Sequence, residues 1–516
     1  MPSDTPRPAA RPVPRGGLSG AGIAFALIAA ASAAAQAQEG GGARSRALSF
    51  TVNSSASYVD TQRPAGVDGR DLVLDVRPGV QYSSRSGRVQ GSLQYNLGLV
   101  RYIGDTDAGD VQHTLDAAFT AEAVPNWFYV DATAGVVQSA LSPVGQQSAG
   151  SSLQRNRNRT EVASASLSPY VRGPLGSFAT YKLRLNASAV NTRRSIAGDS
   201  TSSGAVAAID SAGAGSLLGW GLLASSDRSS FRRGRTTVNE RVQARLSLSP
   251  DPELRLALRG GQETTDAIAV DKQRYANWGF DAQWTPNERT QASLTTDRRY
   301  FGQSHQFSFT HRLPQTAWTF LSSKSASNNA DPNAAGAPVS LFQLLMSVYA
   351  SALPDPVLRE QFVLAQLQQN NLDPNTAVLG GFVNSGLSVQ RRNELAWTYT
   401  GRRTTLGLQG FGGRTSQLGN GLAQAPANGD VRQSGYTSSL AYRLTPTATA
   451  TVVGQRVMTR EVATDVHTDL KSLGLTLTEQ IGRRANASLG ARYSVFNSPT
   501  DPYRESSVTA SLSLRF

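Results

Sequence analysis

The chain has 516 residues, of which 39% are hydrophobic, and carries 50 basic against 37 acidic side chains for a formal charge of +13. That apolar fraction is low for a core-rich globule of this length. The absence of cysteine excludes disulfides, thiolate metal sites and cysteine nucleophiles. After the first forty positions no apolar run approaches the ~18 residues of a membrane helix, so any span must be made by strands.

The N-terminus reads as an export signal over 1–37. Arg11 and Arg15 supply a positive segment, Gly22 to Ala35 is apolar, and Ala35-Gln36-Ala37 offers a small-x-small cleavage site. The mature chain is expected to begin near Gln38, with 38–46 as a short leader. The alternative is an anchor helix that is retained.

From residue 47 onward, alternation with a period of two dominates. In Val89–Val100, Leu93, Tyr95, Leu97 and Leu99 share one face, and Gln90, Ser92, Gln94 and Asn96 the other. Tyr181, Leu183 and Leu185 alternate with Lys182, Arg184 and Asn186. Val242, Ala244, Leu246 and Leu248 alternate with Arg241, Gln243, Arg245 and Ser247. The pattern recurs over Ala276–Trp284 and Leu473–Leu477, and again at Val508, Ala510, Leu512, Leu514 and Phe516. These runs are nearer ~10 residues than the five or six of a soluble sandwich strand, the length a tilted membrane strand needs. The terminal aromatic Phe516 is the type of C-terminal residue that outer-membrane barrel assembly machinery reads.

Tight connections at Ser84–Arg88, Val124–Asn126, Arg172–Ser177, Ser249–Glu253, Thr285–Arg289, Leu313–Gln315, Gly401–Arg403, Thr445–Thr447 and Gly482–Arg484 carry Gly, Pro or Asn. They alternate with long ones at Gln138–Arg159, Asn191–Ser203, Ser322–Asn384 and Arg414–Gln433. Short turns on one rim and long loops on the other are the layout of an outer-membrane barrel. The rhythm breaks between Asn191 and Thr237 unless the weak stretch Gly204–Asp210 is also a strand. Including it predicts an all-β, transmembrane, antiparallel up-and-down barrel of about 22 strands over 47–516.

Within the longest loop, 340–370 has helical spacing instead. Leu341, Leu344, Leu345 and Val348 form one apolar set, and Val357, Leu358, Phe362 and Leu367 another. Ser340 can cap the first helix, and Asp355-Pro356 is a cap followed by proline at the first helical position. Strand parity places this insert on the outer rim. Leu341, Leu345, Val348 and Phe362 are then the apolar face of either a lid or plug over the lumen or a surface cap packed on its own loop.

Several segments resemble the outer-membrane barrel proteins associated with PEP-CTERM/exosortase systems. The first is Asp71-Leu72-Val73 through Arg77-Pro78-Gly79-Val80, followed by Gly87-Arg88. The second runs from Trp278-x-Phe280 and Trp284-x-Pro286-x-Glu288-Arg289-Thr290 to Arg299-Tyr300-Phe301-Gly302, His311-Arg312 and Trp318. The third joins Leu341-Phe342-Gln343-Leu344-Leu345, Leu353-Pro354-Asp355-Pro356 and Arg359 to Gln390-Arg391-Arg392 and Gly401-Arg402-Arg403. Leu313-Pro314 departs from the pattern where a further basic residue is expected. The resemblance implies a Gram-negative outer-membrane setting and, by association alone, a part in exopolysaccharide or envelope export. It implies no catalytic residues and no cofactor. The expected partners are outer-membrane lipid, barrel assembly machinery, and anionic exopolysaccharide or export-complex proteins.

If apolar positions face lipid, then Lys182, Arg184, Arg241, Arg245, Arg255 and Arg259 face the lumen. The last four lie on two strands joined by a tight turn. Such a stripe attracts anions in a confined channel. The alternative is a salt-bridge lattice with Glu240, Glu253, Asp281 and Asp297 that stiffens the wall. No nucleic-acid module is present. The four histidines, His113, His305, His311 and His467, form no metal-spaced pair, and no acidic loop has calcium spacing. Trp127, Tyr129, Trp318 and Tyr399, near strand ends, read as membrane-belt anchors. Three functions stay open: a conduit or docking component for export, a closed structural or surface-interaction barrel, and a lipid- or glycan-modifying enzyme using one of the histidines.

Overall fold

The computed structural model describes residues 46–516 apart from 65–67, 85–86, 149–155, 194–197, 212–216, 328–338, 341–376, 380–381, 384–385, 419–428 and 483. The expected signal, the leader and the helical insert with Leu341, Leu345, Val348 and Phe362 lie outside the described residues.

The first strands are β1 (Arg46–Gln62), β2 (Gly69–Ser84), β3 (Val89–Gly104), β4 (Ala108–Val124), β5 (Phe128–Ala140), β6 (Arg159–Leu175), β7 (Ala179–Thr192) and β8 (Ser200–Ser211). Next come β9 (Leu218–Phe231), β10 (Thr236–Asp251), β11 (Leu254–Thr265), β12 (Gln273–Asn287), β13 (Thr290–Arg299), β14 (Gly302–Arg312) and β15 (Thr316–Ser327). β16 (Val339–Ser340) and β17 (Ala377–Leu379) pair only with each other. The wall resumes with β18 (Ser388–Thr400), β19 (Thr404–Gln417), β20 (Val431–Arg443), β21 (Ala448–Glu461), β22 (His467–Gln480), β23 (Ala485–Asn497) and β24 (Tyr503–Arg515).

Apart from the β16–β17 hairpin, these form one 22-stranded antiparallel sheet. Each wall strand pairs with the next, and β1 pairs with both β2 and β24, so the sheet is a closed cylinder. Closure removes the free edges that would otherwise expose unpaired backbone groups to hydrocarbon. The last contacts of the closure are reciprocal: Phe516 N–H donates to Phe50 O at 2.8 Å, and Phe50 N–H to Phe516 O at 3.3 Å. The weak stretch Gly204–Asp210 lies within β8, as the turn rhythm requires.

Both termini of the described barrel and the turns after β2, β4, β6, β10, β12, β14, β18, β20 and β22 share one rim; the long connections after β5, β15 and β19 leave from the other, as does the two-residue turn between β13 and β14. The short turns are built by local backbone chemistry. Asn126 (φ 58) and Gly87 (φ 89) take left-handed conformations where the chain reverses. Bulges at Leu248/Asp251 and Trp284/Asn287 tighten two further hairpins.

The outer face of the sheet is apolar. Val242 and Leu258 are each 62% exposed, Leu473 59% and Trp278 58%, on strands whose alternate positions turn Gln243, Asn277 and Glu263 inward and bury them. An exposed apolar band on a closed polar-lined cylinder has lipid as its physical complement. Among the described residues no helix is long and apolar enough to cross a membrane.

Near the long-loop rim the ladder between β4 and β5 is interrupted. The β4–β5 ladder stops at Leu115↔Val136, although β4 continues to Ala108 and β5 to Ala140. There the His113 N–H donates to Glu161 Oε2 (3.3 Å) and Gln138 Nε2 donates to His113 O (3.4 Å), so side chains replace backbone rungs. The released edge of β5 is taken by the arm that leads into β18. Ala140 bridges Phe382 in parallel, and Val383 N–H donates to Ala140 O at 3.0 Å.

β5 and β18 are equally many strands apart in either direction around the sheet. A round cylinder of 22 strands, spaced ~4.8 Å and tilted ~40°, would be ~44 Å across. The chain from Val383 to Ser388 reaches no further than about 18 Å. At the long-loop rim Ala140 and Ser388, on strands half the circumference apart, therefore lie closer together than the diameter of a round cylinder. The β5–β6 loop also turns inward there, where Tyr503 Oη donates to Gln147 O at 2.5 Å.

Candidate functional site

Period-two sidedness puts Arg241 and Arg245 of β10, Arg255 and Arg259 of β11, and Lys182 and Arg184 of β7 on the inner face, opposite the exposed Val242, Leu246, Leu258, Leu183 and Leu185. Register makes the β10 and β11 residues neighbours. Arg245 stands directly across from Arg259, Arg241 across from Glu263, and Arg255 across from Gln283 of β12.

The environments divide these cations into two kinds. Arg259 is clamped between two carboxylates. Its Nε and a terminal nitrogen each lie 3.0 Å from Asp281, and the other terminal nitrogen is 3.2 Å from Asp297. Thr295 Oγ1 donates to Asp281 at 2.8 Å, fixing that carboxylate. Gly279, directly across from Asp297, leaves room for the clamp; a Cβ there would collide with Asp297 Oδ1 and Thr296 O. Arg184 is likewise neutralised, at 2.8 Å from Asp131. Arg245, Arg255 and Lys182 are exposed to the lumen and form no ion pair with any described residue. Arg241 is half-buried, and its Nε has no hydrogen-bond partner among the described residues.

The lattice alternative thus holds at Arg259 through Asp281 and Asp297. Glu240 instead faces outward and pairs with Lys272 at 2.9 Å, and Glu253 sits in the β10–β11 turn.

Two groups of lumen residues were missed in the sequence. Glu263, fully buried, accepts two-pronged hydrogen bonds from Arg299 of β13 at 2.5–3.0 Å. Continuing the inward parity of β11 past Gly261 would have found it. On the other wall, Tyr129 is not a membrane-belt anchor. It is buried on the lumen side, 7% exposed, stacks on Tyr170 at 5.1 Å, and accepts a hydrogen bond from Arg172 at 3.1 Å. Arg172 lies over the Tyr129 ring at 4.4 Å and Lys182 over the Tyr170 ring at 4.9 Å. Its inward neighbours Asp131 and Thr133 carried the signal; the nearby strand end obscured it.

The histidines lie elsewhere. His113 accepts or donates a 2.9 Å bond with Tyr95 Oη, and His311 one with Thr290 Oγ1 beside Phe309. His305 Nε2 is 3.0 Å from Ser322 Oγ, but Ser322 donates to Asn393 Oδ1 at 2.8 Å. The Ser322 proton is directed away from the imidazole, and among the described residues no third group orients the ring as a general base requires. Among the described residues no group of His, Asp and Glu has the arrangement to hold a metal ion.

The closed register, the apolar outer band and the polar, charged interior define a transmembrane β-barrel. No family model matches the chain, and no curated protein matches it. Among solved structures, similarity extends to the FrpB iron transporter of Neisseria meningitidis (F5-1 variant; TM-score 0.48, 12% identity, 91% of this chain and 82% of that one). It also extends to OccK5 (OpdH) of Pseudomonas aeruginosa (TM-score 0.33, 10% identity, 91% and 98%) and to OmpTdeltaL8, a loop-deletion mutant of an outer membrane protein of Vibrio cholerae (0.30, 8%, 92% and 100%). At such scores the barrel assignment rests on this chain's own strand register.

Proposed function

We propose that the chain is a Gram-negative outer-membrane conduit for an acidic carbohydrate polymer, with its long-loop rim facing outward. The observation that carries the reading is the cationic lining: Arg245, Arg255 and Lys182 stand in the lumen without a carboxylate partner among the described residues. The stacked Tyr129–Tyr170 pair under Arg172 and Lys182 adds aromatic faces of the kind that receive sugar rings beside cations that receive carboxylates. The resemblance of Asp71–Arg403 to exosortase-associated barrels supports the polymer as exopolysaccharide and export-complex proteins as partners. Barrel assembly machinery would read Phe516.

The test is conductance in planar bilayers. Anion selectivity is expected, and it should fall toward neutrality in Lys182→Gln/Arg245→Gln/Arg255→Gln. No conductance even after 328–387 is replaced by a short flexible linker would refute a conduit. That result would favour the second reading, a structural or surface-interaction barrel, which the arm docked across the mouth at Ala140 specifically supports.

A further inference from the structure

On the outer face, cross-strand register lines up one continuous row of bases. His305 of β14 stands opposite Lys324 of β15, Lys324 opposite Arg391 of β18, and Arg391 opposite Arg414 of β19. Arg414 stands opposite Arg432 of β20, Arg432 opposite Arg460 of β21, and Arg460 opposite His467 of β22. Directly paired residues share a face of the sheet. The same outward parity carries Phe307 and Phe309 on β14, Phe320 on β15, Leu395 on β18 and Leu408 on β19, all nearer the short-turn rim. The row therefore lies outside the sheet, beyond the apolar band, toward the long-loop rim.

Like charges directly opposite one another in a sheet destabilise it, with Cα atoms only ~4.5–5.5 Å apart. Here the repulsion is repeated from strand to strand. Among the described residues the repulsion is relieved at two places: Arg414 is held by Asp430 and Arg460 by Asp465. Lys324, Arg391 and Arg432 form no hydrogen bond or ion pair through their side chains with any described residue, and Arg391 and Arg432 are exposed. The lumen is not the source of a counterion, because the wall separates it from this face.

We propose that this row is a docking site for the phosphate-bearing headgroups of lipids in the leaflet at the long-loop rim. The acyl chains would lie on the Phe307, Phe309, Phe320 and Leu395 face below. Continuity of the basic row with that apolar face selects a lipid over a free anion, which would gain nothing from the apolar part. Guanidinium groups on neighbouring strands match the two-pronged geometry of phosphate oxygens. The inference rests on the outer-membrane reading but not on the lumen being open.

The experiment uses the full chain folded in neutral detergent, with bisphosphorylated lipid A, its dephosphorylated form and inorganic phosphate as probes. Retention is read by native mass spectrometry and melting temperature. Lipid A should bind and the dephosphorylated form should not. Lys324→Gln/Arg391→Gln/Arg432→Gln should weaken lipid A binding roughly a hundredfold, at about fivefold per cation at an anionic surface. Without lipid, the variant should melt no lower than the parent, since a repulsion has been removed, while Lys272→Gln should leave binding unchanged. Equal lipid A binding by the triple variant overturns the proposal, as does displacement of lipid A by equimolar inorganic phosphate. Should the variant not fold, salt titration of the unaltered protein decides: binding must weaken with ionic strength, and salt-independent binding overturns the proposal. Conductance is not read, so failure of the conduit reading leaves this result separate.

Discussion

Arg259 and Arg245 face each other across one ladder, yet their removal should have opposite consequences. Arg259 is 15% exposed and Asp297 10%, with Asp281 at 22%. Removing the cation strands two carboxylates on adjacent strands in a poorly hydrated part of the wall. Breaking such a pair costs about 3–5 kcal/mol when fully buried, so Arg259→Gln should cost about 3 kcal/mol at this exposure. Arg259→Gln/Asp281→Asn/Asp297→Asn removes the orphaned charges with the cation and should recover most of the loss. Arg245 has no carboxylate partner among the described residues and opposes Arg259, so Arg245→Gln should change stability by less than about 0.5 kcal/mol. The assay is urea unfolding of the vesicle-inserted barrel followed by tryptophan fluorescence, run alongside bilayer selectivity. Arg259→Gln should lower the unfolding midpoint; Arg245→Gln should shift selectivity alone. Equal midpoints for Arg259→Gln and Arg245→Gln, or a triple variant no more stable than Arg259→Gln, would refute the division into a structural and a functional cation.

Gly279→Ala places a Cβ against Asp297 and the Thr296 carbonyl and should cost about 1–3 kcal/mol in the same unfolding assay, whereas Gly260→Ala, with nothing within 4 Å, should be neutral. Val383→Pro deletes the donor to Ala140 O; single-channel records should show more frequent transitions between conductance levels, and an unchanged record would mean that the arm does not restrict the mouth. Deleting Phe516 removes the last reciprocal pair with Phe50 and, under the assembly-signal reading, should slow folding by the assembly machinery severalfold, measured by heat-modifiable gel mobility, while the folded barrel loses only about 1–2 kcal/mol.

The cylinder was legible because its governing signal is local. Alternation within each strand and the long–short rhythm of connections are readable residue by residue. Even the polar β8 followed from the requirement that both ends of the barrel share a rim. The inward stripe on β10 and β11 was legible for the same reason. What each inward charge meets was not. Pairing depends on register between strands, so Arg259 finds Asp281 and Asp297 while Glu240, on the same strand as Arg241, turns to the opposite face. The arm at Phe382–Val383 carries no sequence mark, because its partner Ala140 is remote in the chain and the ladder it replaces ends for three-dimensional reasons. The outer basic row was hidden too: its members lie one to a strand, and only the closed register assembles them.

The incomplete junction between β4 and β5 gives the cylinder an expansion joint. At every complete junction, widening the rim means rupturing backbone rungs cooperatively. At His113 it means re-aiming the side chains of Glu161 and Gln138 instead. Girth at that rim can therefore change at this stave without rupturing the ladders on either side of it.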